Sequence, residues 1–445
     1  MSYFVQKYKK LIKLDNQRPF CSKIRLYLHL SYNRSYIMKI LHTSDWHLGH
    51  RLLEQSQHEE QSLFLTWLLE YMDANQVDVL LVAGDIFDVG VPSAQAQKLY
   101  YDFLTALRTT ACSEVIITGG NHDAPSTLNA PKALLNAFSV RVVGKATENV
   151  ADEIFKIDKG NESILVAAIP FLRDQDIRRA IAAETAEEIN NRYKTALISH
   201  FAEVAAYCES LKSTHTQVIA MGHLFALGGK TSESEQSIYV GNLGDIGADD
   251  FPATFDYVAL GHLHRAQQVG GKVHIRYSGS PCVLSFSEVG QNKKVMLIDV
   301  SDTLTISEIT LPEFRKIVQI EGSVEHCKTQ LLLLDRETKE QSAADILIPW
   351  VEIILTNASE ATTGFKEINQ FATNLEPEVL KITVKETRNY NTIHSLMEQV
   401  QGLRAYTPEE VFRLKCEEME VDLTEKPELL DAFHEIYQLS TYTQE

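Results

Sequence analysis

From residue 38 onward, short apolar runs alternate with stretches in which apolar residues recur every three or four positions. The runs predict buried strands, and the stretches predict helices long enough to cross over a sheet. This alternation is typical of an α/β fold. The predicted strands are 39–43, 77–83, 114–118, 164–169, 217–221 and 255–260, and the longest predicted crossover helices are 57–75 and 93–107.

The later part of the chain has a different pattern. Three apolar runs at 272–277, 294–300 and 304–310 lie close together with turn residues between them, as antiparallel strands do. Beyond residue 312 the pattern predicts a smaller α+β unit, and from residue 395 it becomes helical and charged. We therefore expect a basic extension at 1–37, a first domain at 38–312, a smaller domain at 313–394 and a helical segment at 395–445.

Composition narrows the class of protein. The 445 residues are 44% apolar and 23% charged, which is typical of a globular chain and excludes a disordered or fibrous one. The longest apolar run, 164–172, is too short to cross a membrane. Six cysteines without a C-x-x-C pair support neither a zinc ribbon nor a disulfide scaffold. A reducing, cytoplasmic location is the expectation.

The charge is unevenly placed along the chain. A net charge of −18 argues against a passive nucleic-acid coat, which would work through a basic surface. Residues 1–37 nevertheless hold eight lysines or arginines and one acid. Either Met38 is the true start or this segment is a loosely ordered arm, and the basic run is expected to be a solvated face rather than a DNA-binding element.

Five of the predicted strands end in a polar cluster that offers a metal ligand. In open α/β sheets the carboxyl ends of the strands line the ligand crevice, so these clusters are expected to converge in space. Each cluster alone is an ordinary turn, but five at five strand ends predict one site. The residues in these clusters are Asp45 and His47, then Asp85, then Asn121, His122 and Asp123, then His223, and finally His262 and His264.

These residue types suit a site for two divalent metal ions. Such a pair needs a carboxylate that bridges both ions, and Asp85 in the tight Gly84-Asp85 turn is the natural bridge. Asp45 and His47 are two positions apart, so on an extended segment they point to the same side. Mixed nitrogen and oxygen donors without cysteine favour manganese or iron, with zinc or magnesium as alternatives. Manganese (Mn2+) is the expected metal.

The ordered motifs D-x-H, G-D, G-N-H-D, G-H and G-H-x-H resemble the calcineurin-type metallophosphoesterase signature. Segments 38–49, 169–173, 259–267 and 276–281 are similar, more narrowly, to the SbcD branch, the nuclease subunits of bacterial SbcCD complexes. The resemblance covers about residues 38–440 and is less sharp beyond 311.

The resemblance implies both a fold and an activity. The fold would be a four-layer sandwich of mixed sheets flanked by helices, with a smaller α+β capping domain and C-terminal helices. The activity would be that of a metal-dependent DNA nuclease, a double-strand exonuclease and a single-strand or hairpin endonuclease, in DNA break processing. The partners would be an SbcC-type coiled-coil ATPase and a second copy of the chain, in a heterotetramer without membrane contact.

The resemblance also implies roles for the clustered residues. One ion would be held by Asp45, His47, Asp85 and His264, and the other by Asp85, Asn121, His223 and His262. His122 would be the catalytic histidine. Asp123 either orients His122 or caps the helix ahead of Pro125. Some relatives place a second histidine at the position of Asp88, so a substrate role there is in doubt.

Other features have more than one interpretation. Arg173, Arg178 and Arg179 form a basic patch that either contacts DNA or is an ordinary helix surface. Apolar positions of the C-terminal helices, such as Leu429 and Phe433, favour docking on the ATPase partner. The rival functions are a phosphatase acting on small phosphate esters and a scaffold that kept the fold without catalysis.

Overall fold

The computed structural model describes residues 37–173, 176, 186–226, 229–231, 246–340, 347–356 and 361–385, together with the single positions 412, 416, 429, 430 and 433. The chain divides into two compact units, Met1–Thr383 and Val384–Glu445. In the second unit the described rings of Phe412 and Phe433 stack with their centroids 4.5 Å apart.

Two six-stranded sheets form the centre of the first unit. The first sheet contains β1 (Met38–Thr43), β4 (Val79–Ala83), β5 (Glu114–Thr118), β6 (Val140–Val143), β13 (Lys294–Val300) and β14 (Leu304–Thr310). The second contains β7 (Ile154–Lys159), β8 (Glu162–Ala168), β9 (Thr216–His223), β10 (Tyr257–Gly261), β11 (Gln267–Val269) and β12 (Lys272–Tyr277). The strand order is β14-β13-β1-β4-β5-β6 in the first sheet and β11-β12-β10-β9-β8-β7 in the second.

The remaining elements are helices and two small sheets. The helices are α1 (His58–Asn75), α2 (Ala94–Ala106), α3 (Pro125–Asn129), α4 (Lys132–Asn136), α5 (Ala186–Leu211), α6 (Val324–Glu340) and α7 (Ala361–Ala372). A hairpin pairs β2 (Arg51–Leu52) with β3 (Gln55–Ser56), and a three-stranded sheet joins β15 (Arg315–Gly322), β16 (Leu347–Leu355) and β17 (Glu378–Val384).

Successive side chains of a strand point to opposite faces of its sheet, so each sheet contributes to a separate hydrophobic core on each of its two faces. Val79 and Leu81 of β4 share one core with Val166 of β8 and Ile219 of β9, so this core lies between the two sheets. Leu80 and Val82 turn to the opposite face of the first sheet and pack with residues of α1 and α2. On the outer face of the second sheet, residues of α5 complete a third core. The predicted four-layer sandwich is confirmed.

One prediction about the strands is wrong. The runs at 272–277, 294–300 and 304–310 are not three antiparallel neighbours. β13 and β14 do pair antiparallel, but β12 lies in the other sheet, parallel to β10. The segment between β12 and β13 carries the chain from one sheet to the other, and a local pattern of apolar runs does not record this change of sheet.

A buried arginine joins the three-stranded sheet to α1. Arg315 of β15 is 8% exposed, donates from Nε to the buried carboxylate of Glu60, and lies 4.0 Å from the ring centroid of Trp350. Its other nitrogens donate to Glu59 Oε2 at 3.2 Å and to the Ile348 carbonyl oxygen at 2.6 Å. Arg315 therefore ties β15 to the helix that follows the first strand-end loop.

Among the described residues, no helix is long and apolar enough to cross a membrane.

Arg315→Met should lower the free energy of unfolding by about 3–5 kcal/mol, because Glu60 would remain as a buried carboxylate without its partner. The control is Lys316→Met, which removes a positive charge from the exposed pair with Glu337 and should cost under about 1 kcal/mol. Urea unfolding followed by far-UV circular dichroism measures both. Equal effects of the two substitutions would contradict the structural role of Arg315.

Candidate metal centre

The five predicted clusters meet at the carboxyl ends of strands from both sheets. The Asp45 N–H donates to the Gly84 carbonyl oxygen at 3.1 Å, which joins the loops after β1 and β4. The His122 N–H donates to Asp85 Oδ1 at 2.9 Å, and the His262 N–H donates to Asp45 Oδ1 at 2.8 Å. The last of these bonds joins the two sheets. The predicted convergence of the strand ends is therefore what the structure shows.

Two glycines allow the loops to approach so closely. A Cβ atom on Gly261 would lie 1.9 Å from the Ala83 carbonyl oxygen, and one on Gly84 would lie 2.1 Å from His223 Nδ1. No real side chain tolerates such distances. Gly84 also has φ of +83°, a conformation that glycine adopts at little cost.

Several ligand candidates themselves have strained backbones. Asp45, His47, Asp85 and His262 have φ values of 53°, 44°, 49° and 104°. Non-glycine residues with positive φ are uncommon, and each costs on the order of 1–3 kcal/mol. Hydrogen bonds between the loops keep these four residues in their positive-φ conformations despite this cost. Strain of this kind concentrates at functional sites.

The side chains form overlapping groups of donors. Ligand atoms within 4.8 Å of one another come from Asp45, His47 and His264 in one group, from Asp45, Asp85 and His223 in a second, and from His47, Asp85 and His122 in a third. Asn121 Oδ1 lies 2.9 Å from His223 Nε2, and the rings of His223 and His262 are 5.4 Å apart. All the predicted metal-ligating residues thus lie together.

This donor set fits divalent metal ions. Both ring nitrogens of His47 are buried and make no hydrogen bond to any described residue. Carboxylate oxygens lie 3.6 Å from Nε2, on Asp85, and 3.3 Å from Nδ1, on Asp88. Buried imidazole nitrogens without hydrogen bonds, beside carboxylate oxygens, are what a cation between them requires.

The pKa shifts show how closely the charges are packed. Burial raises the pKa of Asp45, and the nearby carboxylate of Asp85 adds to this shift although the surrounding histidines oppose it. Burial opposes the protonation of His223, but the Asp85 carboxylate 3.2 Å away outweighs burial and raises the pKa of this imidazole to about 9. The cluster therefore gathers anionic oxygens that positive charge stabilises.

His122 sits at the edge of this cluster with one nitrogen already engaged. Its Nδ1 lies 2.7 Å from the Asp88 carbonyl oxygen, which can only accept, so Nδ1 carries a proton and Nε2 remains for other partners. The ring centroid is 4.7 Å from that of His47. The predicted catalytic histidine is thus half-buried beside the ligand group, and the main chain of Asp88 orients it.

Asp123 occupies a different place from the one expected of a residue that orients His122. Its carboxylate accepts the backbone N–H groups of Ile86 at 3.1 Å, Phe87 at 3.0 Å and Gly120 at 2.9 Å. It thus ties the loop after β4 to the loop after β5. Burial, together with the charge of Asp85, raises the pKa of Asp123 to about 6 against the effect of these N–H donors.

Arg173 also supports the loop after β5. Its guanidinium donates to the Asp123 carbonyl oxygen at 2.6 Å and to the Gly120 carbonyl oxygen at 3.4 Å, and it lies 5.6 Å from the ring centroid of Phe171. The other two arginines of the predicted DNA-binding patch, Arg178 and Arg179, lie outside the described residues. DNA contact by these arginines stays a prediction.

Several supporting residues were missed by the sequence reasoning. Gln61 of α1 donates to the His47 carbonyl oxygen at 2.8 Å and accepts from the Gly49 N–H at 3.0 Å. Ser44 Oγ donates to Asp45 Oδ2 at 2.6 Å and pairs with Ser278 Oγ at 2.7 Å. Glu288 lies behind His264. Ser44 and Ser278 did carry a signal, since they lie in the 38–49 and 276–281 segments quoted for the family resemblance.

Asp85→Asn should reduce the number of divalent ions bound per chain from two to at most one. A neutral amide offers one oxygen and no charge, so it is a poor bridge between two cations. Calorimetric titration of the full-length protein with Mn2+ gives the stoichiometry. Asp302→Asn, in the turn between β13 and β14, is the control and should leave two ions bound; two ions in Asp85→Asn would refute the bridging role.

Known protein families match the chain in two regions. The sequence profile described as calcineurin-like phosphoesterase matches residues 38–266, which is about half of the chain. The profile of the SbcD C-terminal family, described as type 5 capsule protein repressor C-terminal domain, matches residues 313–420.

Curated relatives extend the similarity over most of the chain. The chain is 32% identical to the SbcD subunit of the nuclease SbcCD from Escherichia coli K12, over 89% of this chain and 97% of that protein. It is 36% identical to the subunit of the same name from Rhodobacter capsulatus, over 62% of this chain and 69% of that one. The corresponding Bacillus subtilis protein is 32% identical over 63% of this chain and 72% of its own length.

These matches confirm the resemblance inferred from the motifs. The order of those motifs and the strand ends that carry them agree with the region that the phosphoesterase profile covers. The chain belongs to the calcineurin-like phosphoesterases and, within them, to the SbcD family of nuclease subunits.

Proposed function

We propose that this protein is a metal-dependent DNA nuclease that hydrolyses phosphodiester bonds at the cluster of strand-end residues. The observation that carries the proposal is the convergence of buried carboxylate and imidazole donors and the half-buried Asn121 amide, from five loops, at one edge of two sheets. Membership of a phosphoesterase family whose relatives are named nucleases makes hydrolysis of a phosphodiester the matching reaction.

The proposed ligand sets are those that the family resemblance implies, and all of their members lie in the cluster of strand-end residues. Asp45, His47, Asp85 and His264 would hold one ion, and Asp85, Asn121, His223 and His262 would hold the other. When bound, a pair of divalent ions would supply an acidified water as the nucleophile and would neutralise charge on the phosphoryl group. Mn2+ is proposed because the donors are nitrogen and oxygen without thiolate.

His122 has the proposed catalytic role. Because Nδ1 is held by the Asp88 carbonyl oxygen, Nε2 is the nitrogen left to contact the scissile phosphate or the leaving oxygen. In its imidazolium form, with a second proton taken up from solvent on Nε2, His122 would deliver that proton to the leaving sugar oxygen and return to the neutral ring that keeps its proton on Nδ1. Asp123 and Arg173 act as positioning residues, since they hold the loop that carries Asn121 and His122.

The finer parts of the proposal concern substrates and partners. We propose that the protein has double-strand exonuclease activity and single-strand or hairpin endonuclease activity, and that it acts in DNA repair and recombination. We further propose that it works as a dimer of this chain bound to an SbcC-type ATPase. The acidic net charge of −18 supports the proposal that the ATPase partner supplies much of the affinity for DNA that does not depend on sequence. The phosphatase and scaffold alternatives are outcomes of the test below.

His122→Ala should lower the rate of DNA cleavage by about 10²–10⁴-fold while two Mn2+ ions remain bound, because a general acid is lost and the proposed ligands are kept. The assay compares linear duplex DNA, hairpin DNA and p-nitrophenyl phosphate, with and without the ATPase partner and ATP. His215→Ala, an exposed turn histidine, is the control and should cleave DNA like the unaltered protein.

The other outcomes separate the rival functions. Hydrolysis of p-nitrophenyl phosphate with DNA untouched, even with partner and ATP, would replace the nuclease proposal by a phosphatase. No hydrolysis of any substrate and fewer than two bound ions would favour the scaffold. Unimpaired DNA cleavage by His122→Ala would contradict the role of His122.

A further inference from the structure

A buried carboxylate stands directly behind one of the proposed ligands. Glu288, in the short 3₁₀ turn Phe286–Glu288, is completely buried, and its Oε1 lies 3.0 Å from His264 Nδ1. A carboxylate accepts hydrogen bonds, so Nδ1 of His264 carries the proton in this contact. Nε2 of the same ring then carries the lone pair that a metal ion requires.

Glu288 is itself held in one position. Its Oε2 accepts the Leu284 N–H at 3.2 Å and lies 2.5 Å from Lys293 Nζ. Lys293 also donates to Ser280 Oγ at 2.8 Å, and the Ser280 N–H donates to the His264 carbonyl oxygen at 3.1 Å. Glu288 therefore presents an oxygen in a fixed position to His264, with the Lys293 ammonium beside its other oxygen.

His264 and His223, one from each proposed ligand set, differ in what their Nδ1 atoms meet. His264 Nδ1 hydrogen-bonds to the Glu288 carboxylate at 3.0 Å. His223 Nδ1 hydrogen-bonds to the neutral Ala83 carbonyl oxygen at 3.0 Å, and the nearest carboxylate oxygen, on Asp45, is 3.9 Å away. A carboxylate behind an imidazole increases the basicity of the ligand nitrogen and strengthens metal binding.

We propose that Glu288 positions His264 and makes the ion held by Asp45, His47, Asp85 and His264 the more tightly bound of the two. The proposal rests on the two-ion site of the proposed function and goes beyond it by assigning unequal affinities and the residue that sets them. Glu288 does not touch the ion or the substrate. It acts through the proton on Nδ1 and the orientation of the imidazole ring.

The test is calorimetric titration of the full-length protein with Mn2+. The unaltered protein should bind one ion tightly and one more weakly. Glu288→Gln should raise the Kd of the tight step by about 10- to 100-fold, the range typical of losing such a supporting carboxylate, and leave the weak step unchanged. The matched control is Glu153→Gln, because Glu153 is an equally buried carboxylate that lies 2.9 Å from His200 Nε2, outside the proposed ligand sets.

A second variant separates the effect on His264 from the charge left on Lys293. Glu288→Gln alone leaves this lysine without its buried carboxylate, whereas Glu288→Gln with Lys293→Gln restores the charge balance. Weak binding that persists in the double variant supports the proposal. Recovery of the tight step in the double variant overturns it, because the unpaired lysine would then be the cause.

The remaining outcomes distinguish this inference from the proposed function. Two ions of equal affinity in the unaltered protein, or a tight step that Glu288→Gln does not change, overturn the inference alone. No Mn2+ binding by the unaltered protein overturns the metal site and the proposed function with it. The apo thermal midpoint of Glu288→Gln is measured beside that of Glu153→Gln, so that loss of folding is recognised separately from loss of metal affinity.

Discussion

The close approach of five loops at one edge of two packed sheets is the constraint on which the metal centre depends. Gly261 lies so near the Ala83 carbonyl oxygen that even a methyl group has no room, and Gly84 meets the His223 ring in the same way. These contacts require the sheets to pack at one distance, which the core between β4 and β8 sets. The positions of the ligand side chains therefore depend on the packing of the core and on the strained backbone of the loops.

The resulting cluster is electrostatically unfavourable without compensating charge. Asp45 and Asp85 are both almost completely buried, and carboxylates so placed lose solvation and repel one another. Hydrogen bonds to these carboxylates offset part of the cost, such as those to Asp45 from Ser44 Oγ in the same loop and from the His262 N–H in the loop after β10. Both ring nitrogens of His47 lack a hydrogen bond among the described residues, as expected of an imidazole whose partner would be a cation.

The residues closest to the proposed chemistry could be predicted from the sequence because each follows an apolar strand and has a ligand side chain. Asp123 could not be placed in the same way, since two of the three backbone N–H groups that it accepts, those of Ile86 and Phe87, belong to a loop more than thirty positions earlier. Glu288 carried no local signal, because its contact with His264 spans 24 positions. The sequence pattern did not predict the change of sheet between β12 and β13 for a related reason, since adjacency along the chain does not determine which sheet a strand joins.

The central claim is that these strand ends form a single site for two divalent ions. Anomalous diffraction from crystals grown with Mn2+ tests it most directly. The account predicts two anomalous peaks about 3.5–4 Å apart, with Asp85 between them, His47 and His264 on one, and His223 and His262 on the other. A single peak in this cluster, or peaks only at carboxylates elsewhere on the surface, would contradict it.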